Sequence, residues 1–185
     1  DKVNTQQWFD VIDSAHRRGI PTTATIMYGH IEQPVHWAKH LLGLRQQQQK
    51  TGGFTELVPL PFVHMESPMH LKGHSRIGPT WREALLMHAV SRLVLSPEIV
   101  NIQASWVKLG PEGVAQCLNA GVNDIGGTLM NESITRAAGA EHGQEMTPQA
   151  MESLLAKVNR PSRQRTTLYA DAKKERKVCS FSSMN

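Results

Sequence analysis

Cysteine is scarce: the chain holds two, Cys117 and Cys179, in 185 residues. They lie far apart and match neither a disulfide framework nor a metal-ligand spacing. A reducing, cytoplasm-like compartment is therefore the expected setting. No run of about 18 apolar residues occurs, so no membrane-spanning helix is expected. The first residue is Asp1 rather than Met, and no signal-peptide pattern opens the sequence. That start reads as a processed chain or a piece of a longer one. Gly-x-Ser-x-Gly is missing too. Gly126-Gly127-Thr128 looks like a phosphate cradle at a helix start. It lacks both the lysine of a P-loop and the third glycine of a dinucleotide fingerprint.

What is present suits one ordinary domain, 39% hydrophobic and 19% charged. The net charge of +4 is unevenly placed. Residues 1–159 carry 13 basic against 14 acidic side chains, while residues 160–185 carry seven against two. The division expected is thus a folded body over 1–159 and a flexible basic tail over 160–185. Such a tail can touch nucleic acid or anionic membrane. The plainer reading is a solvated end, and neither partner is expected.

Helical and strand patterns alternate. Trp8, Val11, Ile12 and Ala15 recur at helical spacing over residues 5–18, with Gly19 as a stop. TTATIMY (22–28) reads as a strand. Pro34 opens a helix to about residue 50, which Gly52-Gly53 ends. FTELVPL (54–60) is the next strand, closed by Pro59 and Pro61. A loop over 61–79 carries His64, His70 and His74, and loops this long are often functional. Thr80-Trp81-Arg82-Glu83 is a capping box for a helix to about residue 95. IVNIQAS (99–105) reads as a third strand, Pro111 starts a helix that Gly121 stops, and VNDIGG (122–127) reads as a fourth strand. Thr147-Pro148 caps a last helix to about residue 158. This order implies an α/β fold with a parallel sheet. Four such units make a small doubly wound sheet or half of an eight-stranded barrel, which takes about 250 residues in full.

The strand faces discriminate between these. A parallel strand buried on both sides is continuously apolar. Here Asn101, Gln103 and Ser105 alternate with Val100, Ile102 and Ala104, and Thr23 and Thr25 alternate with Ala24 and Ile26. Glu56 and Asp124 sit inside apolar runs. A polar inner face is the expected wall of a binding cavity, since an unpaired buried polar group costs about 1–3 kcal/mol. Polar groups also collect where the strands end, the ligand side of parallel α/β folds. They are Tyr28, His30 and Glu32; His64 and Glu66; Ser105, Trp106 and Lys108; Thr128 and Glu132. His36 and His40, four apart on a helix, have zinc-like spacing but no glutamate after the first. An exposed helix face is expected there, and Cys117 is read as packing.

Several strings taken together, TTATIMYGHIE, GGFTELVPLPFVH, RIGPTWREALLMHAV, NIQASWVKLG, NDIGGTLMNESITRAAGAEHG and RQRTTLY, resemble the FO synthase family, in its tyrosine-condensing radical S-adenosylmethionine half. The resemblance runs from residue 1 to about residue 169. It implies an α/β fold that is the C-terminal half, strands five to eight with their helices, of a radical S-adenosylmethionine (β/α)8 TIM-type barrel. It implies S-adenosylmethionine and a 4Fe–4S cluster as cofactors. It implies transfer of the 4-hydroxybenzyl group of L-tyrosine to 5-amino-6-(D-ribitylamino)uracil, with a ring-closing FO synthase subunit or domain as partner. The cluster is held in that family by Cys-x-x-x-Cys-x-x-Cys. That motif is absent here, so the cluster cysteines are expected before Asp1, no residue of this chain is expected to bind the metal, and the chain alone is expected to be inactive.

Residue roles follow from the resemblance as expectations. Glu56 and His64 are the catalytic candidates, His64 because imidazole titrates near neutral pH. Asn101, Gln103, Ser105 and Asp124 would bind polar parts of substrate or cofactor. Tyr28, His30 and Lys108 would line the rim, beside Thr128. Gly126 and Gly127 would let backbone approach a ligand. Two other readings stand beside this one: a futalosine-pathway menaquinone enzyme of the same superfamily, and a non-catalytic binding module derived from the barrel.

Overall fold

The computed structural model describes residues 2–129, 132–140, 145–175 and 177. Helix α1, Thr5–Arg17, starts where Asn4 and Gln7 satisfy each other's backbone amides in a reciprocal cap. Strand β1, Thr22–Tyr28, follows, then α2, Pro34–Thr51, which Gly52 ends in the left-handed conformation. Strand β2, Phe54–Pro61, pairs parallel to β1, from Thr22 opposite Phe54 to Tyr28 opposite Pro61.

The long loop after β2 contains a single helical turn, α3, Pro68–Leu71. Helix α4, Trp81–Leu95, carries the capping box of Thr80 and Glu83. Helix α5, Trp106–Asn119, begins five residues before Pro111, and its helical path breaks at Gly110, whose φ is 65°. The first turn at Trp106 was not legible from the sequence, because Pro111 marks a helix start in its own right. The short α6, Ile134–Ala137, and α7, Pro148–Lys157, complete the described elements.

The third and fourth extended runs need correction. Residues 99–105 and 122–127 do not form full strands. They join the sheet through single parallel bridges, Leu57 to Ile102 and Gln103 to Asp124. The reason lies in β2. Leu57 N donates to Asn101 O at 2.9 Å, and Gln103 N returns a bond to Leu57 O at 2.9 Å. The next amide on that side of β2 would be that of residue 59, a proline with nothing to donate. The fourth run is cut short on its own side by the turn at Gly126, where φ is 72°. The pairings within this sheet are nevertheless parallel, in the order β1, β2, third run, fourth run.

One face of this small sheet is the core. Ala24, Ile26 and Tyr28 from β1, Leu57 from β2, and Ile102 and Ala104 from the third run are buried against Leu41, Leu44, Met87, Val114 and Cys117 of the helices. The opposite face carries Thr23, Thr25 and Met27, all exposed, with Glu56 and Gln103 half-buried among them. Period-two alternation places these residues there.

Candidate active-site cleft

Glu56 lies on the open face of the sheet because it is out of phase with the buried Leu57. The strand register puts Thr23 opposite it. Thr23 Oγ1 donates to Glu56 Oε1 at 3.2 Å. From the third run, Gln103 Nε2 donates to Glu56 Oε2 at 2.9 Å. Asp124, at the bridge on the far side of Gln103, accepts from Gly126 N at 2.7 Å. A Cβ at Gly126 would stand 2.9 Å from Gln103 Oε1, and the backbone there has positive φ, so the turn needs glycine. Trp106 Nε1 donates to Gly127 O at 2.9 Å and pins the next residue of the turn.

Two groups close this wall from a distant part of the sequence. Residues 164–172 double back in a short antiparallel turn, with Thr166 N on Ala170 O at 2.8 Å and Ala172 N on Gln164 O at 3.3 Å. From it Arg165 Nε donates to Asp124 Oδ2, while Arg165 Nη2 stands 3.6 Å from Glu56 Oε2. Tyr169 Oη donates to the same Glu56 oxygen. The Arg165 guanidinium lies 4.0 Å over the Tyr169 ring centre. Burial pulls the arginine pKa down, but the hydrogen bond and charge of Asp124 outweigh it and the net direction is up. Burial and the bond to Glu56 both push the Tyr169 phenol up, so it stays a protonated donor.

These residues border a cleft of about 330 Å³. Glu56, Gln103, Ser105, Gly126 and Gly127, given binding or catalytic roles from the sequence, line it, with Trp106 from the expected rim and Thr23 from the expected polar face. Asp124 stands behind them, its side chain 8% exposed, tied to Arg165 and Gly126. Sequence reasoning missed Thr23 as a partner of Glu56. It also missed Arg165 and Tyr169, which were counted into a solvated tail.

The other expected residues stand elsewhere. Tyr28 is corrected outright: it does not line the rim but lies wholly buried on the helix side, edge-on to Trp37. Its position shares the parity of Ala24 and Ile26, so the strand period turns it away from the open face. His30 pairs with Glu32 at 2.7 Å and leans on Phe62. Glu32 itself is an anchor. Burial would raise its pKa, but the amides of Gly29 and His30 and the Trp37 indole hold it down to about 2. His64 packs edge-on against His70 in the loop after β2, with ring centres 4.7 Å apart. Asn101 Nδ2 donates to Thr55 O at 2.8 Å and ties the third run to β2. Thr128 follows the Gly126–Gly127 turn and offers its carbonyl to Met146 N at 3.2 Å. Lys108 lies half-buried on α5, where burial lowers its pKa against the pull of Glu132. Of the helical histidines, His36 accepts from Gln33 N at 3.1 Å, and His40 packs by Trp8. Cys117 is fully buried, as read from its position.

Residues 51–176 match the family model described as the CofH/MqnC C-terminal region. The chain belongs to that family. It is 48% identical over 169 residues to a 5-amino-6-(D-ribitylamino)uracil–L-tyrosine 4-hydroxyphenyl transferase of Methanocaldococcus jannaschii, matching 91% of this chain and 47% of that protein. It is 46% identical over 182 residues to an FO synthase of Streptomyces avermitilis, matching 98% of this chain and 21% of that protein. A Mycobacterium leprae FO synthase is 48% identical over 169 residues, or 91% of this chain and 20% of that protein. The chain thus spans about half of the transferase and about a fifth of the FO synthases. The family match covers Glu56, Gln103, Asp124, Arg165 and Tyr169, so the wall of the cleft falls inside it except for Thr23.

Proposed function

We propose that this chain is the later half of a radical S-adenosylmethionine barrel, strands five to eight. The parent enzyme would join the 4-hydroxybenzyl group of L-tyrosine to 5-amino-6-(D-ribitylamino)uracil. The observation that carries the reading is the 48% identity, over 91% of the chain, with a protein named for that transfer. The cleft supports it by its chemistry. Two carboxylates face one guanidinium, so the wall keeps an excess of acceptor character and suits a ligand rich in N–H and O–H groups. Ribitylaminouracil and the ammonium of tyrosine are such ligands.

Glu56 has the leading part. Its Oε2 oxygen is occupied by Gln103 and Tyr169, with Arg165 nearby, whereas its Oε1 oxygen has, among the described residues, only Thr23, at 3.2 Å. A carboxylate oxygen accepts two bonds, so Oε1 is the atom offered to a substrate hydroxyl or amine. Ser105 and the bare backbone at Gly127 extend the same surface, and no atom of the described residues lies within 4 Å of a Cβ built at Gly127. S-adenosylmethionine, also cationic and rich in hydroxyl and amine donors, suits the same acceptors and would supply the radical precursor when bound.

The described residues of this chain do not fit the iron–sulfur cluster. Cys117 is sealed among the helices, and burial pushes its thiol up to about 12. Among the described residues no three His, Cys, Asp or Glu side chains are grouped to hold a metal. The ring-closing FO synthase subunit or domain would be the partner that uses the product, in the cytoplasm.

The test joins this chain to the part of the Methanocaldococcus jannaschii transferase that it does not span. With the cluster reconstituted, the fusion should couple tyrosine to the ribitylaminouracil, and this chain alone should not. Glu56→Ala and Gln103→Ala should remove product while the cluster spectrum stays intact. A fusion with a normal cluster spectrum that turns over only a futalosine-type substrate overturns the reading.

A further inference from the structure

We infer that Arg165 and Tyr169 are positioning residues, which orient the Glu56 carboxylate so that its Oε1 oxygen faces the substrate. The inference deepens the transferase reading and rests on it for the role of Glu56. Glutamate has three rotatable side-chain bonds, and a half-buried glutamate in an open cleft would sample several of their states. Here it does not. Donors from three separate parts of the chain meet on it: Thr23 from β1, Gln103 from the third run, and the pair Arg165 and Tyr169 from the turn at 164–172.

Their distribution is uneven, and the unevenness carries the inference. Tyr169 and Gln103 both bond Oε2, and Arg165 adds its charge at 3.6 Å on the same atom. That side of the carboxylate is spent. The opposite oxygen, with the bond from Thr23, keeps acceptor capacity for a ligand in the cleft that Glu56 lines. Arg165 fixes the arrangement from behind, since its Nε is committed to Asp124 and its Nη1 donates to Thr166 O at 3.2 Å. Asp124 in turn holds Gly126 N, so the glycine turn and the glutamate share one support. Tyr169 has a φ of 62°, in the left-handed region. A side chain held there needs surroundings that over-determine it. Its stacking under Arg165 and its bond to Glu56 supply them. Neither residue needs to touch the reacting atoms.

The test uses the active fusion described above. Tyr169→Phe keeps the ring and the stacking but removes one hydrogen bond to a charged acceptor. It should lower kcat/KM by about 10- to 100-fold, the factor such a bond carries. The loss should appear in both kcat and KM. Arg165→Lys should retain part of the activity lost in Arg165→Met, because a lysine keeps the charge without the fork. A purely structural role would lower the amount of active enzyme at unchanged KM, and that result overturns the inference. A second arm needs no turnover. In a crystal structure of the Tyr169→Phe protein, the Glu56 carboxylate should leave its bond with Gln103. A carboxylate found unmoved overturns the positioning role, whatever the enzyme acts on. If the wild-type fusion makes no coupled product, the transferase reading fails while this arm still decides the role of Tyr169.

Discussion

Replacing Gly126 by alanine separates backbone strain from damage to the cleft wall. The backbone at Gly126 has φ +72°, and an alanine there costs about 1–2 kcal/mol from the left-handed conformation alone. The new methyl would also stand 2.9 Å from Gln103 Oε1, closer than real contacts allow, and a tight 3.2 Å from its Cδ. Gln103 can turn away, but then it releases Glu56. A hydrogen bond to a charged group is worth about 1.5–3 kcal/mol. Together these give about 2.5–5 kcal/mol, or a fall in Tm of about 5–20 °C for a domain of this size. Gly127→Ala is the control, since its Cβ meets no atom of the described residues within 4 Å and its φ is outside the left-handed range. It should change stability by less than about 0.5 kcal/mol. Urea unfolding followed by tryptophan fluorescence gives the differences. In a Gln103→Ala background the penalty at Gly126 should shrink to its backbone part, leaving a coupling of about 1.5–3 kcal/mol. Equal effects at both glycines, or a coupling below about 0.5 kcal/mol, would refute the reasoning.

Other outcomes follow from buried groups and close contacts. His16, His40 and His88 all have pKa values lowered, chiefly by burial, so the folded protein resists charging them. Their contribution is complete above the ordinary histidine value of 6.5 and is lost as pH falls below it, so Tm should drop between pH 7.5 and 5. Glu32 acts lower on the scale: its stabilisation is lost as pH falls from 4.5 toward about 2, and Glu32→Gln should flatten that limb of a stability–pH curve. Gly29→Ala should prevent stable folding, because its Cβ would lie 2.2 Å from Pro79 Cδ and 2.3 Å from Pro79 N, which cannot turn away. Soluble expression with a wild-type melting profile would count against it. In a Cys179→Ser background, Cys117 should stay unlabelled by iodoacetamide until urea unfolds the protein.

The boundaries of most elements were legible because they are set locally. Thr80 and Thr147 cap, Gly52 stops, and Pro34 and Pro148 open helices through effects that reach no more than four residues. The polar face was legible for a similar reason. Period-two alternation puts Thr23, Gln103 and Ser105 on one side, and it placed Tyr28 on the other, although its polar end invited a rim assignment. The third and fourth runs were overextended, because the missing donor at Pro59 matters only once its neighbour across the sheet is known.

What the sequence by itself determined is the alternating α/β order, the face that Glu56, Gln103 and the glycine turn share, and the family. Each depends on near neighbours in the chain or on long matching strings. What only the tertiary structure decided is which groups close the cleft. Tyr169 lies 113 residues from Glu56, and Arg165 lies 41 residues from Asp124. No periodicity spans such distances, and an arginine in a basic segment looks the same in sequence whether it faces water or a buried carboxylate. The acids needed a partner, since two carboxylates sharing one wall repel and lose their solvent. The fold met that need by bringing a distant arginine and tyrosine onto them.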